Sequence, residues 1–213
     1  MSSRERILDV AMEVFAQFGY RRASMDQVAE AAGLTRQAVY HYFNSKAELF
    51  RASVEALHEG AHEAEADAGR AAEAAGLSLA DILGVQVEAR FRYLVECLAE
   101  TSQQEELLSE RQLQAGDLVQ SFADEHVRLH TATIERVCRA RGLTLRERMS
   151  AAELAQAIQI AVSGFGDLKS KISFVDDLKR VVRLIVTGAV EEPAPNQHKR
   201  SRTPVTRTPR KRK

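Results

Sequence analysis

Residues 24–46 read Ser24-Met25-Asp26-Gln27-Val28-Ala29-Glu30-Ala31-Ala32-Gly33-Leu34-Thr35-Arg36-Gln37-Ala38-Val39-Tyr40-His41-Tyr42-Phe43-Asn44-Ser45-Lys46. Ser24 with Gln27 three positions on is a capping box, and it opens a short helix whose Val28, Ala29 and Ala32 face inward. Gly33 ends that helix in the left-handed conformation that a residue without a Cβ adopts most readily. Thr35 caps a third helix, from Arg36 to about Tyr42. Val39 and Phe43, four apart, lie on its core side. Asn44 breaks it, and Ser45-Lys46-Ala47-Glu48 is a second capping box that opens a fourth helix. Two short helices joined by a turn centred on Gly33-Leu34 form the helix-turn-helix layout.

The same reading extends outward in both directions. Residues 4–18 form a first helix, with Ile7, Leu8, Met12, Val14, Phe15 and Phe18 on one broad face, Ser3 as cap and Gly19 as stop. The fourth helix runs past Leu57 to about residue 73. Apolar periodicity then predicts helices over 79–100, 105–113, 118–139, 145–166 and 174–190, with turns at Gly76-Leu77-Ser78, Ala115-Gly116-Asp117 and Gly142. The fold class is all-α, with about nine helices. All four prolines (Pro193, Pro195, Pro204, Pro209) lie in the last 21 residues, so none interrupts a helix before them. Three divisions follow: a three-helix head over 1–50, a helical body over 51–190, and a tail over 191–213. The head/body boundary falls inside the fourth helix rather than in a linker.

Composition excludes several classes. The 213 residues are 45% hydrophobic and 28% charged, enough for a sizeable core. Cys97 and Cys138 make no disulfide framework, no secretory leader is recognisable, and no stretch reaches 18 apolar residues. A cytoplasmic setting away from any membrane follows. The formal net charge of zero conceals an asymmetry: residues 193–213 carry eight Lys or Arg and no acid, which leaves the other 192 residues with 22 basic and 30 acidic side chains. The Pro- and Thr-rich tail is expected to be disordered and to attract polyanions. No Gly-rich phosphate loop, no G-x-S-x-G and no H-E-x-x-H is present, so no enzyme is expected.

The chemistry of the second short helix suits duplex DNA. Arg36 and Gln37 stand at its N-terminal end, where Arg matches guanine O6 and N7 and Gln matches adenine N6 and N7. Ala38 permits close approach, and Tyr40 and His41 extend the surface by a turn. Thr35 and the first-turn amides suit a phosphate, Lys46 at the next helix start makes a phosphate clamp, and Arg21 and Arg22 reach the flanking backbone. Spacing alone leaves plain solvated surface as an equal alternative, since residues 1–60 hold seven basic and eight acidic side chains.

The run from Phe15 to Tyr20 and from Ser24 to Phe50 closely resembles the N-terminal DNA-binding domain of the TetR family of bacterial transcriptional regulators. The resemblance places Thr35, Arg36, Gln37, Ala38, Tyr40 and His41 on the recognition helix, Tyr42 near a phosphate and Lys46 on the family's phosphate lysine. The family usually has Gly or another small residue at the position of Gln37, which leaves that side chain open between base reader and plain surface. The resemblance implies a homodimeric repressor of a near-palindromic operator, released by a small-molecule effector. It also implies a ligand cavity among the middle helices and a dimer seam on the last two. Candidate cavity residues are Phe91, Tyr93, Cys97, Phe122, His126, His130 and Phe165. Candidate seam residues are Ile158, Val162, Phe165, Leu178, Val182 and Ile185, with one monomer's own core as the alternative. A ligand-dependent activator, or a helical interaction protein whose tail binds polyanions, are the competing functions.

Two histidine pairs, His58/His62 and His126/His130, have the i, i+4 spacing that places two imidazoles on one helix face, with Glu59, Glu63 or Glu125 as further donors. Two ligands do not make a site, and no metal or cofactor is expected.

Overall fold

Side-chain caps set the starts of the first four helices. Ser2 Oγ accepts the Glu5 N–H at 3.2 Å while the Glu5 carboxylate accepts the Ser2 N–H at 2.7 Å, so Ser2, not Ser3, is the first cap. Ser24 and Gln27 form the full reciprocal box, and Thr35 Oγ1 accepts the Ala38 N–H at 3.2 Å. Ser45 Oγ accepts the Glu48 N–H, but the Glu48 carboxylate takes the N–H of Asn44 at 2.9 Å instead of that of Ser45, so the expected second box is half formed. Each such cap stabilises its helix by about 1 kcal/mol.

The computed structural model describes residues 2–98, 103–163 and 172–191. Among them lie eight α-helices: α1 Ser3–Phe18, α2 Met25–Ala31, α3 Arg36–Tyr42, α4 Lys46–Ala74, α5 Leu79–Leu98, α6 Gln104–Arg141, α7 Ala151–Ser163 and α8 Ile172–Ala189. The expected helices over 105–113 and 118–139 are the two arms of α6, joined through a kink at Ala115, where φ is −145°. The tail beyond Glu191 lies outside the described residues.

The α2–α3 turn is a Schellman motif. The Leu34 N–H donates to the Ala29 carbonyl at 2.9 Å and the Gly33 N–H to that of Glu30 at 3.0 Å. Gly33 has φ +64° and open space where a Cβ would stand, so backbone conformation rather than crowding selects glycine.

The C-terminal half also departs from expectation at the start of α7. Helix α7 begins at Ala151, not 145. Thr144–Leu145 pairs antiparallel with Val190–Glu191 in a two-residue bridge, and Arg146–Arg148 forms a single 3-10 turn. The start is set by a capping box that periodicity passed over: Ser150 Oγ accepts the Glu153 N–H, and the Glu153 carboxylate accepts the Ser150 N–H at 2.7 Å.

Two apolar cores share one long helix. The head core joins Ile7, Phe15, Val39, Phe43, Leu49 and Phe50, with Phe50 edge-on to Phe15 at 5.0 Å and to Tyr20 at 4.9 Å. It extends down α4 to Val54 and Leu57 and takes in Leu107 and Ala115 of α6, so the head sits on the body across the expected boundary at residue 50. The body core joins Ile82, Leu83, Val87, Ile134, Leu154, Ile158, Leu178 and Val182. Helix α5 lies between α4 and α8. It approaches α4 closely because Gly69 and Gly60 offer no Cβ to collide with Gln86 and Tyr93.

This packing corrects the expected dimer seam. Ile158, Val162, Leu178 and Val182 are buried in the chain's own core, and Ile185 packs against it. The strongest apolar stripes of α7 and α8 face the neighbouring helices of the same chain. Phe165 lies outside the described residues. Among the described residues, the large apolar side chains that α7 and α8 leave exposed are Ile160, at 65%, and Leu184, at 74%.

Candidate nucleic-acid interface

Helix α3 carries one buried residue, Val39. Thr35, Arg36, Gln37, Tyr40, His41 and Tyr42 are exposed and Ala38 is half-buried, so the seven residues that the sequence gathers here form one accessible surface. The Arg36 guanidinium is not free within it. Nη1 donates to the Asp26 carboxylate at 2.9 Å, and its plane lies 5.3 Å from the Tyr40 ring centroid. Both partners of the ion pair are about 60% exposed (62% and 59%), so Asp26 holds the arginine at a modest cost to any other use of it. His41 and Tyr42 are edge-on at 5.2 Å.

Lys46 has a second set of partners within the chain. Its Nζ donates to the carbonyls of Tyr20 at 2.9 Å, Arg21 at 3.1 Å and Ala23 at 3.0 Å, and it lies 4.8 Å from the Tyr20 ring centroid. All three ammonium donors are engaged by the α1–α2 loop. In the chain without DNA, Lys46 thus holds the loop that carries Arg21 and Arg22. The signal missed in the sequence was that loop, in which the carbonyls of Tyr20, Arg21 and Ala23 fall to the Lys46 ammonium while those of Gly19 and Ser24 accept backbone N–H groups.

Arg21 and Arg22 are both exposed. Arg22 Nε donates to the Phe18 carbonyl at 2.9 Å. Arg21 pairs with Glu110 of α6 at 3.4 Å, and its N–H donates to Glu106 at 2.8 Å. A second tie between head and body stands at the α6 kink. Arg51 of α4 clasps the Asp117 carboxylate with both terminal nitrogens and donates to the Gln114 carbonyl at 3.2 Å. The pair holds the Asp117 carboxyl at about 2, below the usual range.

Between the two apolar cores lies a polar interior, where the His126/His130 pair noted from its spacing meets Arg90 and Glu65, the last of which the sequence did not single out. Glu65 of α4 is fully buried, with His126 Nδ1 at 2.6 Å and His130 Nε2 at 3.0 Å from one carboxylate oxygen and Arg90 at 3.5 Å from the other. Burial alone would raise the Glu65 pKa, and the two histidines outweigh it and hold the group well below its usual range. Burial pushes His126 down to about 4, with His130 adding to the effect. His58 stacks on Phe122 at 5.0 Å and is pushed down to about 3 by burial and by Arg90 and Arg111.

Of the expected cavity residues, Phe122, His126 and His130 thus lie along the α6 face of this interior. Phe91 packs on Phe174 beside the body core. Tyr93 and Cys97 line a separate cleft with Leu8, Met12 and Leu57. Burial raises the pKa of both cysteine thiols, so neither is an activated thiolate.

The capped tri-helical head, with the N-terminal half of its third helix exposed, has the helix-turn-helix layout. Residues 7–53 match the model of the bacterial regulatory proteins of the tetR family. The regulator SrpR of Pseudomonas putida is 50% identical over 50 residues, 24% of either chain. The regulator TtgR, also of Pseudomonas putida, is 42% identical over 57 residues, 27% of either chain. The match therefore spans about a quarter of these curated relatives. Similarity of fold extends much further. Reduced NemR of E. coli superposes with a TM-score of 0.67 over 91% of this chain and 100% of that one, at 18% identity. SmeT, described as the repressor of the Stenotrophomonas maltophilia multidrug efflux pump SmeDEF, gives 0.59 over 90% and 92%, at 20% identity. Among the described residues no helix is long and apolar enough to cross a membrane.

Proposed function

We propose that the protein is a cytoplasmic, non-enzymatic transcriptional regulator: a homodimer that binds a near-palindromic operator, represses, and is released by a small-molecule effector. The observation that carries this reading is the exposed, Thr35-capped N-terminus of α3 in a head that matches the tetR family. Arg36 and Gln37 read base edges, with Ala38, Tyr40 and His41 beside them. Thr35, Tyr42, Arg21 and Arg22 meet phosphates and set register. For Arg36 to reach a guanine it exchanges Asp26 for the base, so Asp26 holds the side chain extended until DNA replaces it. Ile160 and Leu184, apolar and exposed on the last two helices, are the positions we assign to the dimer contact. Two copies would set their recognition helices about 34–36 Å apart, one turn of the duplex.

An effector changes operator affinity only if it binds unequally to two spacings of the heads. The Arg51 clasp on the α6 kink and the Arg21–Glu110 pair transmit such a difference, because they tie the head to the helix that lines the polar interior. Selection of binding sites from random duplexes by the full-length protein tests the reading. One near-palindromic motif is expected. Recovery of sequences without a shared motif, both with and without the tail, would overturn it.

A further inference from the structure

We infer that Glu65, His126 and His130 form a binding site for one divalent transition-metal ion of the zinc class, held between α4 and α6. The inference stands on the interior cluster alone and does not depend on the DNA-binding reading.

Four-residue spacing on α6 sets His126 and His130 on one face, and α4 brings Glu65 against them. One ligand atom from each of the three lies within 4.8 Å of the other two. All three side chains are at most 1% exposed. Two imidazole nitrogens and one carboxylate oxygen are a donor set that zinc, cobalt and nickel all accept. The acids adjacent in sequence are not part of it: Glu59 and Glu63 are exposed, and Glu125 pairs loosely with His62 at 3.8 Å.

A second observation points the same way. Both ring nitrogens of His126 and of His130 and both carboxylate oxygens of Glu65 are buried without a hydrogen bond of proper geometry, so the three atoms that face one another, His126 Nδ1, His130 Nε2 and Glu65 Oε1, are among those left unmatched. Folded proteins pair nearly all buried polar groups, and an unmatched cluster marks a missing ion or ligand. The geometry lies close to what a metal needs. Bonds of about 2.0–2.1 Å in a tetrahedron separate donor atoms by about 3.3 Å. The nitrogens now stand 2.6 and 3.0 Å from Glu65 Oε1, so these two separations open by less than about 1 Å to admit the ion. Each imidazole then ligates in its neutral form, through His126 Nδ1 and His130 Nε2, with its proton on the other ring nitrogen. Arg90, at 3.5 Å from Oε2, orients the carboxylate from behind and leaves Oε1 to the metal. The fourth position is left to water.

The test uses full-length protein freed of metal by chelation. Zn²⁺ is titrated calorimetrically and Co²⁺ by visible absorption. One ion per chain and the intense bands of four-coordinate Co²⁺ are expected. Glu65→Gln and His130→Gln should each weaken binding at least about 100-fold, Arg90→Gln about 10–100-fold, and His62→Gln not at all. Should the buried variants lose their helical circular dichroism, the wild type decides: a ¹⁵N imidazole spectrum of the zinc-loaded protein should show His126 Nδ1 and His130 Nε2 as the ligating atoms. Absence of stoichiometric uptake of Zn²⁺, Co²⁺ and Ni²⁺ by the wild type would overturn the inference. So would ligation through other histidines, or affinity unchanged in folded Glu65→Gln and His130→Gln.

Discussion

Replacing Lys46 with Met separates the two jobs open to this side chain. Met keeps the length and the apolar stem and removes the ammonium, so the carbonyls of Tyr20, Arg21 and Ala23 lose their common donor. The Arg21 contact is exposed, and water replaces it at little cost. Those to Tyr20 and Ala23 are partly buried. A hydrogen bond to a charged group is worth about 1.5–3 kcal/mol, but partial hydration of the freed carbonyls brings each nearer to about 1 kcal/mol. Loss of the cation over the Tyr20 ring adds about 0.5 kcal/mol. The total is about 2–3 kcal/mol, which for a chain of this size lowers the melting temperature by about 5–10 °C. Thermal unfolding followed by circular dichroism measures the shift. The salt dependence of operator binding measures the other job. A lysine on a phosphate contributes about 0.9 to the slope of log affinity against log salt, and we expect Lys46→Met to leave that slope unchanged. A variant as stable as the wild type, with a slope reduced by about 0.9 per head, would refute the loop-clamp account.

Three further outcomes follow. Arg36→Ala should cost about 1–3 kcal/mol of operator affinity and relax preference at one base pair; a loss equal on all duplexes would make Arg36 a backbone contact. His58, near 6.5 when unfolded, is held at about 3 in the fold by burial and by Arg90 and Arg111. The unfolded chain therefore binds the extra proton first, so stability should fall as pH drops from about 6.5 towards 3; a His58→Leu variant whose melting temperature keeps the same slope over that range would contradict the assignment. The double variant Ile160→Glu, Leu184→Glu should remain folded and sediment as a monomer, and persistence of the dimer would place the contact elsewhere.

The head was legible because its information is local. Ser24, Gln27, Gly33 and Thr35 act within four residues of themselves, through caps and one left-handed turn, and each acts there as its residue type predicts. The helical layout of the body followed from periodicity, which reports only that one face is apolar. It does not report what covers that face. Ile158, Val162, Leu178 and Val182 therefore looked equally suited to a partner and to the chain's own core, and only the packing of α5 and α6 against them settled it. The start of α7 slipped for a related reason: Leu145 continues the apolar pattern, and the Ser150–Glu153 box overrides it.

The amino-acid order by itself determined the all-helical class, the helix-turn-helix surface and the residues that α3 exposes, because caps, turns and apolar spacing are interactions between near neighbours. Tertiary structure alone decided the rest. It set Lys46 on three carbonyls more than twenty residues distant and Asp26 on Arg36, and brought Glu65 to His126 and His130 across some sixty residues. A charge buried by packing has no signature in composition. Its partner is fixed by where two helices cross, and that crossing follows from the shapes of both cores together.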